Sequence, residues 1–163
     1  MKKMFIATLL MGCGLAVSVQ AKDTRVECAN LVSPDQYMSL IGETGSPKFK
    51  EKGNKGCNYL NEAETKNLGW AVSQLSSDKE WTQLRDGMKM VASYGINLNL
   101  AKTVEGIGAD AYEQSSVLFV LSSNRKYKIT VIYAEKGKAS TPPETQAAIR
   151  KEIALDLDKE LSK

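Results

Sequence analysis

The chemistry open to this chain is limited first by an absence, because none of its 163 residues is a histidine. Catalytic Ser-His-Asp and Cys-His sites both need an imidazole base, and histidine-ligated zinc needs imidazole ligands. These classes of site are therefore excluded. Three short motifs and one acidic loop remain as candidates for a catalytic or binding role.

Residues 106–111 match the pattern G-x-G-x-x-A of dinucleotide-binding loops. Such a loop must open a helix whose N-terminus meets the pyrophosphate, with an acidic residue about 20 positions later. Here a strand is predicted within a few residues of the glycines, and the later region is basic. We therefore predict a turn shaped by glycine, and no cofactor.

Residues 76–79 and 123–126 each match the pattern S-x-x-K of serine acyl-enzymes. Those enzymes also need supporting motifs, and this sequence has none of them. The first match is typical of the cap of a helix, and the second is typical of the turn of a hairpin. We predict no catalytic residue in either.

Glu105, Asp110 and Glu113 lie close together in a segment that we predict to be a loop. Two carboxylates held about 5–9 Å apart can hydrolyse a glycosidic bond, and carboxylates can also contact calcium. Solvated acidic side chains on a loop are the simpler interpretation. We therefore predict that the protein is not an enzyme and holds no metal, and we keep a carboxylate-dependent hydrolase as the third hypothesis.

Lysines are concentrated in residues 43–56, a segment rich in glycine and lysine that we predict to be a loop. A solvated loop is one interpretation, and a patch for an acidic partner is the other. We combine this loop with the glycine-rich segment 106–112 as a candidate contact surface. The predicted surface consists of Lys48, Lys50, Lys52, Lys55, Gly106, Gly108, Asp110 and Tyr112.

The N-terminus has the three parts of a secretory signal. Lys2 and Lys3 precede an uncharged segment over residues 4–19, and Ala21 stands where signal peptidase cuts. We predict a signal peptide over residues 1–21 and one periplasmic or secreted domain over 22–163, without a stable membrane span. A lipoprotein anchored through Cys13 is the alternative.

Removing the signal changes both the charge and the cysteine count. The full chain has 22 basic and 19 acidic residues, so the loss of Lys2 and Lys3 leaves a net charge of +1. This balance does not favour nucleic acid as a partner. Cys28 and Cys57 remain, and in an oxidising compartment we expect them to form a disulfide worth roughly 3–4 kcal/mol.

The elements that must position these residues follow from caps and periodicity. Three helices are predicted, starting near Ser33, Ser77 and Thr141. Strands are predicted over residues 57–62, 68–75, 96–104, 117–121 and 126–133. Hairpins dominate this order, so we expect an α+β fold: a mainly antiparallel sheet of about five strands packed by three helices.

Several landmarks occur in an order that resembles a known family. These are Cys28 before a short helix, Gly42, the segment Gly-Cys-Asn-Tyr at 56–59, the loop at 106–112, a hairpin and a C-terminal helix. The chain resembles the cysteine-paired secreted domain of unknown function found in bacterial envelope lipoproteins, which is similar to the PsbP-like sandwich. The resemblance implies accessory or binding roles.

Our leading hypothesis is a non-enzymatic periplasmic protein-binding module: an accessory subunit, an inhibitor or an immunity protein. Its partner would be another envelope or secreted protein, and a homodimer is compatible with this hypothesis. The alternative is a carrier of small molecules or lipids in the cell envelope. The pocket of such a carrier would be lined by Trp70, Trp81 or Tyr133.

Overall fold

The computed structural model describes residues 32–52, 56–93 and 102–163. Within these ranges the helices are α1 (Pro34–Leu40), α2 (Asp78–Ser93) and α3 (Pro143–Leu161). The strands are β1 (Lys48–Lys52), β2 (Gly56–Leu60), β3 (Lys66–Gln74), β4 (Lys102–Thr103), β5 (Asp110–Gln114), β6 (Val117–Leu121) and β7 (Tyr127–Glu135).

All seven described strands form one sheet in the order β1-β2-β3-β7-β6-β5-β4. Every neighbouring pair is antiparallel. The two longest strands, β3 and β7, lie side by side near the middle and pair over their full nine residues. The predicted α+β class, with three helices and a mainly antiparallel sheet, is confirmed for the described part of the chain.

The predicted number of about five strands is not confirmed, because the described residues alone form a sheet of seven. β1 lies inside the predicted lysine loop, and β5 lies inside the predicted loop after the glycines. Both strands are near the edges of the sheet and have several polar residues, so neither shows a clear apolar alternation. Of the strand predicted over 96–104, only the two-residue β4 falls among the described residues.

One face of the sheet packs against α1 and α3. Leu68 and Trp70 of β3 and Val131 of β7 project from this face and are buried. α3 covers them with apolar side chains spaced three or four residues apart, as expected for one side of a helix. The residues that α3 buries here are Ile149, Ile153, Ala154 and Leu157.

The opposite face receives the beginning of α2. Trp81 is buried against Tyr112 of β5, with 5.4 Å between the ring centroids, and Leu75 and Leu121 complete this smaller cluster. The sheet therefore has helices on both faces, which gives three layers.

α1 begins as its sequence predicts. The Ser33 side chain accepts a hydrogen bond of 3.1 Å from the backbone N–H of Gln36, and Pro34 occupies the first turn, where no N–H is needed. Gly42 has a φ of +68° just beyond the end of the helix, a backbone conformation that suits glycine. Such a short helix depends on packing, and Tyr37 provides it by stacking on Tyr59 at 5.2 Å.

The predicted glycine turn at 106–109 is confirmed, and it leads into strand β5 rather than into a helix. Gly106 and Gly108 have positive φ values of +74° and +57°. A Cβ atom at position 108 would lie 2.2 Å from the backbone oxygen of Leu121 and 2.7 Å from Cγ1 of Val120. Only glycine lets this turn approach the end of β6 so closely.

Cys57 is buried in β2 and is not a free thiol. Cys28, Cys13 and the predicted signal peptide at 1–21 lie outside the described residues. The Cys28–Cys57 disulfide and the alternative lipid anchor therefore stay predictions. Among the residues that the structure does describe, no helix is both long and apolar enough to cross a membrane.

Gly108→Ala should lower the free energy of unfolding by about 2–4 kcal/mol, since the methyl group adds a backbone overlap to a strained φ. Gly137→Ala is the matched control, because Gly137 also has a positive φ of +82° but a Cβ atom there would meet no other atom within 4 Å. The control should lose only about 1 kcal/mol. Urea unfolding measures both values, and equal losses would contradict the close approach at Gly108.

Candidate functional site

Three of the four lysines of the predicted surface lie in β1, at one edge of the sheet. We call residues 48–52 the lysine edge. Lys48, Lys50 and Lys52 stand opposite Leu60, Asn58 and Gly56 of β2 in the register. Because residues alternate between the faces of a strand, the three lysine positions share one face of the sheet. The fourth lysine, Lys55, lies outside the described residues.

The lysine edge begins with one weak ion pair and one aromatic contact. Lys48 Nζ lies 3.1 Å from Glu64 Oε1, and the two side chains are 51% and 40% exposed. Such exposed pairs contribute at most about 1 kcal/mol. Phe49 lies on the other face, 41% exposed, with its ring 5.1 Å from that of Tyr59. Lysines on an edge strand also discourage aggregation, which is the purely structural interpretation.

The other half of the predicted surface lies at the far side of the sheet. Gly106 and Gly108 shape the turn before β5, and four strands separate β5 from β1. At a spacing of about 4.8 Å per strand, this separation is roughly 24 Å. The structure therefore does not bring the two predicted halves together into one contact surface.

Asp110 and Tyr112 hold α2 on the sheet. Asp110 Oδ2 accepts hydrogen bonds from Trp81 Nε1 at 2.9 Å and from Arg85 Nη1 at 3.0 Å. Burial alone would raise the pKa of Asp110, but these two hydrogen bonds outweigh it and lower the pKa. Tyr112 is buried and stacks on Phe119 at 5.0 Å, and burial raises its pKa to about 12. The Asp110 carboxylate is therefore hydrogen-bonded within the fold, and the Tyr112 ring is packed within it.

The three acidic residues of the hydrolase hypothesis do not converge. Glu113 pairs with the buried Arg150 of α3, whereas Asp110 pairs with Arg85 of α2. Positions three residues apart in a strand project from opposite faces, so the sheet separates the two carboxylates. Glu105 contributes its backbone oxygen to a hydrogen bond from a lysine of α3. Asp110 and Glu113 therefore do not form the pair of facing carboxylates that hydrolysis requires.

Both S-x-x-K matches have structural roles. The backbone N–H and the hydroxyl of Ser76 donate to Glu80 Oε2 at 2.9 and 2.8 Å, which fastens the segment before α2 to its first turn. The backbone N–H and the hydroxyl of Ser123 donate to Asp158 at 2.7 and 2.5 Å, which ties the β6–β7 turn to the end of α3. The predicted turn accounts for Ser123, whereas Glu80 bonds to Ser76, one residue before the predicted capping residue Ser77.

The aromatic residues of the carrier hypothesis belong to the core. Trp70 and Tyr133 are buried beneath α1 and α3, and Trp81 is buried on the other face. Trp70 also lies beside Tyr59, with 5.6 Å between the ring centroids. These rings fill space between helix and sheet, and this packing gives the carrier hypothesis no support.

Sequence reasoning missed a polar network beside the ends of the strands, where β1 and β3 begin. Lys66 Nζ lies 3.0 Å from Glu43 Oε1 and donates to the backbone oxygen of Ile41 at 3.1 Å, just past the end of α1. Asn61 Nδ2 donates to Glu43 Oε2 at 2.9 Å. The hydrogen bond from Asn61, followed by that from Lys66, lowers the pKa of Glu43.

Glu135 forms a second polar cluster nearby, because it stands opposite Lys66 in the register. It accepts hydrogen bonds from the backbone N–H groups of Ser140 and Thr141, at 2.6 and 3.2 Å, and from the hydroxyls of Thr141 and Tyr133. Burial would raise the pKa of Glu135, but these donors lower it to about 2. The carboxylate therefore fastens the loop between β7 and α3.

The network of Glu43, Asn61 and Lys66 fixes the backbone beside the lysine edge. Asn61 Oδ1 accepts from the backbone N–H groups of Thr65 and Lys66, at 2.8 and 2.9 Å, which fixes the turn between β2 and β3. Glu43 fixes the start of the loop that leads to β1. Among the described residues, no group of three or more acidic or cysteine side chains could hold a metal ion.

Glu135→Gln should lower the free energy of unfolding at pH 7 by roughly 1–3 kcal/mol, because charge-assisted hydrogen bonds are lost. A carboxyl whose pKa is lowered by folding stabilises the protein above its unfolded value of 4.5, and this contribution fades as pH falls toward about 2. Urea unfolding at pH 7, 4 and 2 measures the difference. The exposed Glu152→Gln is the control, and a Glu135→Gln deficit that persists undiminished at pH 2 would contradict the assignment.

Known proteins give no second line of argument about this site. Comparison of the chain with protein-family models, with curated proteins and with solved structures finds no match.

Proposed function

We propose that the chain is a non-enzymatic protein-binding module of the bacterial envelope, exported to the periplasm and cut near Ala21. It acts on another envelope or secreted protein as an accessory subunit, an inhibitor or an immunity protein. The lysine edge is its contact surface. The observation that carries this proposal is that β1 is the edge strand of the described sheet and has lysine at every second position.

The distribution of charge supports this surface. The mature chain has a net charge of only +1 by composition, yet the five residues of the lysine edge contain three lysines and one glutamate. A local positive charge of this kind attracts an acidic surface and speeds the encounter at low salt. The binding partner is therefore a protein with an acidic contact surface.

The hydrogen bonding beside the lysine edge also supports it. β1 pairs with β2 along its whole length, and the polar network around Glu43 and Asn61 fastens the adjoining loop and turn. A contact surface held in one conformation before binding loses less entropy when the partner docks. The network that sequence reasoning missed thus has a role in the proposed function.

The disulfide completes this support. We propose that Cys57 of β2 is bonded to Cys28. This disulfide would join the segment before α1 to β2, the strand that pairs with β1. The same two regions are already linked, because the Tyr59 hydroxyl donates to the backbone oxygen of Val32 at 2.9 Å. The PsbP-like sandwich likewise belongs to the proposal, and the helices on both faces of the sheet agree with it.

The lysine edge is tested by reversing its charge. Lys48→Glu, Lys50→Glu and Lys52→Glu combined should lower recovery of the partner from envelope extract about tenfold or more, since each lost charge pair costs several tenths of a kcal/mol. Quantitative mass spectrometry of proteins captured on the immobilised mature chain measures this recovery.

The control for this experiment reverses three exposed lysines elsewhere, Lys79, Lys136 and Lys138. It makes the same change in net charge and should leave recovery unchanged. Equal recovery on the wild-type chain and on the variant of the lysine edge would overturn the proposed surface.

Export and the disulfide have their own test. Protein purified from the periplasm should start at Lys22 and contain no titratable thiol when unfolded without reductant. Replacing both Cys28 and Cys57 by serine should lower the free energy of unfolding by roughly 3–4 kcal/mol, because the unfolded chain is no longer cross-linked. Two free thiols, or a lipid on Cys13, would contradict the prediction.

A further inference from the structure

We infer that the lysine edge binds an acidic, extended segment of its partner as an additional strand, antiparallel to β1. This inference rests on the proposed function and adds to it the conformation and the residue pattern of the partner. The backbone of β1 and the alternation of its residues support it, and the same alternation disfavours a second copy of this chain as the partner.

The backbone of β1 is suited to adding a strand. It is regular over five residues and pairs with β2 on one side only within the part of the chain that the structure describes. The N–H and C=O groups on the outer side of such a strand form a template for another extended chain. Pro47, which cannot donate a backbone hydrogen bond, marks the beginning of this template.

A second copy of this chain does not fit the template. In an antiparallel pair, residues directly opposite each other lie on the same face of the sheet. Two copies of β1 related by a two-fold axis must therefore place lysine opposite lysine in every register, since positions 48, 50 and 52 share a face. Like charges at these positions disfavour the pair. The homodimer compatible with the sequence is thus disfavoured at this edge.

A strand with acidic residues at alternate positions does fit. Each carboxylate then stands opposite one lysine position, and each such pair contributes roughly 0.2–1 kcal/mol. Lys48 already holds a carboxylate, that of Glu64, in an exposed pair that a partner can replace at small cost. On the other face, the half-exposed ring of Phe49 beside Tyr59 offers an apolar contact. The partner segment therefore alternates acidic with apolar residues.

The opposite edge of the described sheet does not offer an equivalent template. Of β4 the structure describes two residues, Lys102 and Thr103, and these give no template of the length that β1 offers. The inference therefore concerns β1 alone.

Two synthetic peptides of identical composition test the inference. In TEVEVET the acidic residues alternate, and in TVVEEET they are adjacent, so only the first places all of them on one face of a strand. The mature protein should bind the alternating peptide about tenfold more tightly, measured by titration of backbone amide NMR signals. Amide hydrogen exchange of residues 48–52 should slow with the alternating peptide, because their outer N–H groups become bonded.

A charge swap supplies the matched control. The variant that combines Lys48→Glu, Lys50→Glu and Lys52→Glu should lose TEVEVET and bind TKVKVKT instead, whereas the variant at Lys79, Lys136 and Lys138 should behave as the wild type does. Equal affinity for the two acidic peptides, or unchanged exchange of residues 48–52, would overturn strand addition.

The two proposals can fail separately. If partner recovery from the envelope depends on the three lysines but the peptides bind alike, the proposed function stands and strand addition falls. If recovery does not depend on these lysines, the proposed function falls as well.

Discussion

The pairing of β3 with β7 holds the whole sheet together. β1 and β2 attach on one side of this pair, and β6, β5 and β4 attach on the other. Its buried side chains, among them Trp70 and Val131, form the floor on which α1 and α3 pack. At one end of the pair, Lys66 and Glu135 stand opposite each other and anchor the neighbouring loops. Every other described strand, including β1 with the lysine edge, is attached to this central pair directly or through its neighbours.

The two faces of the sheet divide the tasks of the protein. One face buries most of the core beneath α1 and α3, and the other holds Trp81 and Asp110 against the start of α2. Charged side chains that looked available in the sequence are used within these layers, since Glu113 pairs with Arg150 and Asp110 with Arg85. The lysine edge differs from them because it lies where the sheet ends.

Local signals in the sequence were enough to predict the elements whose contacts join residues that are close in sequence. The start of α1 at Ser33 and the hairpin of β6 and β7 depend on neighbouring residues, so caps and alternation located them. The edge strand β1 and its counterpart β5, next to the opposite edge, were missed because polar residues interrupt their apolar pattern. The network of Glu43 and Lys66 was missed because hydrogen bonds between distant residues leave no periodic signal.

The central pair also sets the order of assembly. β3 ends at Gln74 and β7 begins only at Tyr127, so the first three strands, which form a meander, are closer to one another in sequence than to the strand that must lie beside them. Until β7 pairs, the backbone N–H and C=O groups on the inner side of β3 have no strand partner, and loop closure over this distance makes the pairing slow. The lysines of β1 on neighbouring molecules repel one another at this stage. The side of the three-stranded meander that is open to aggregation is therefore β3.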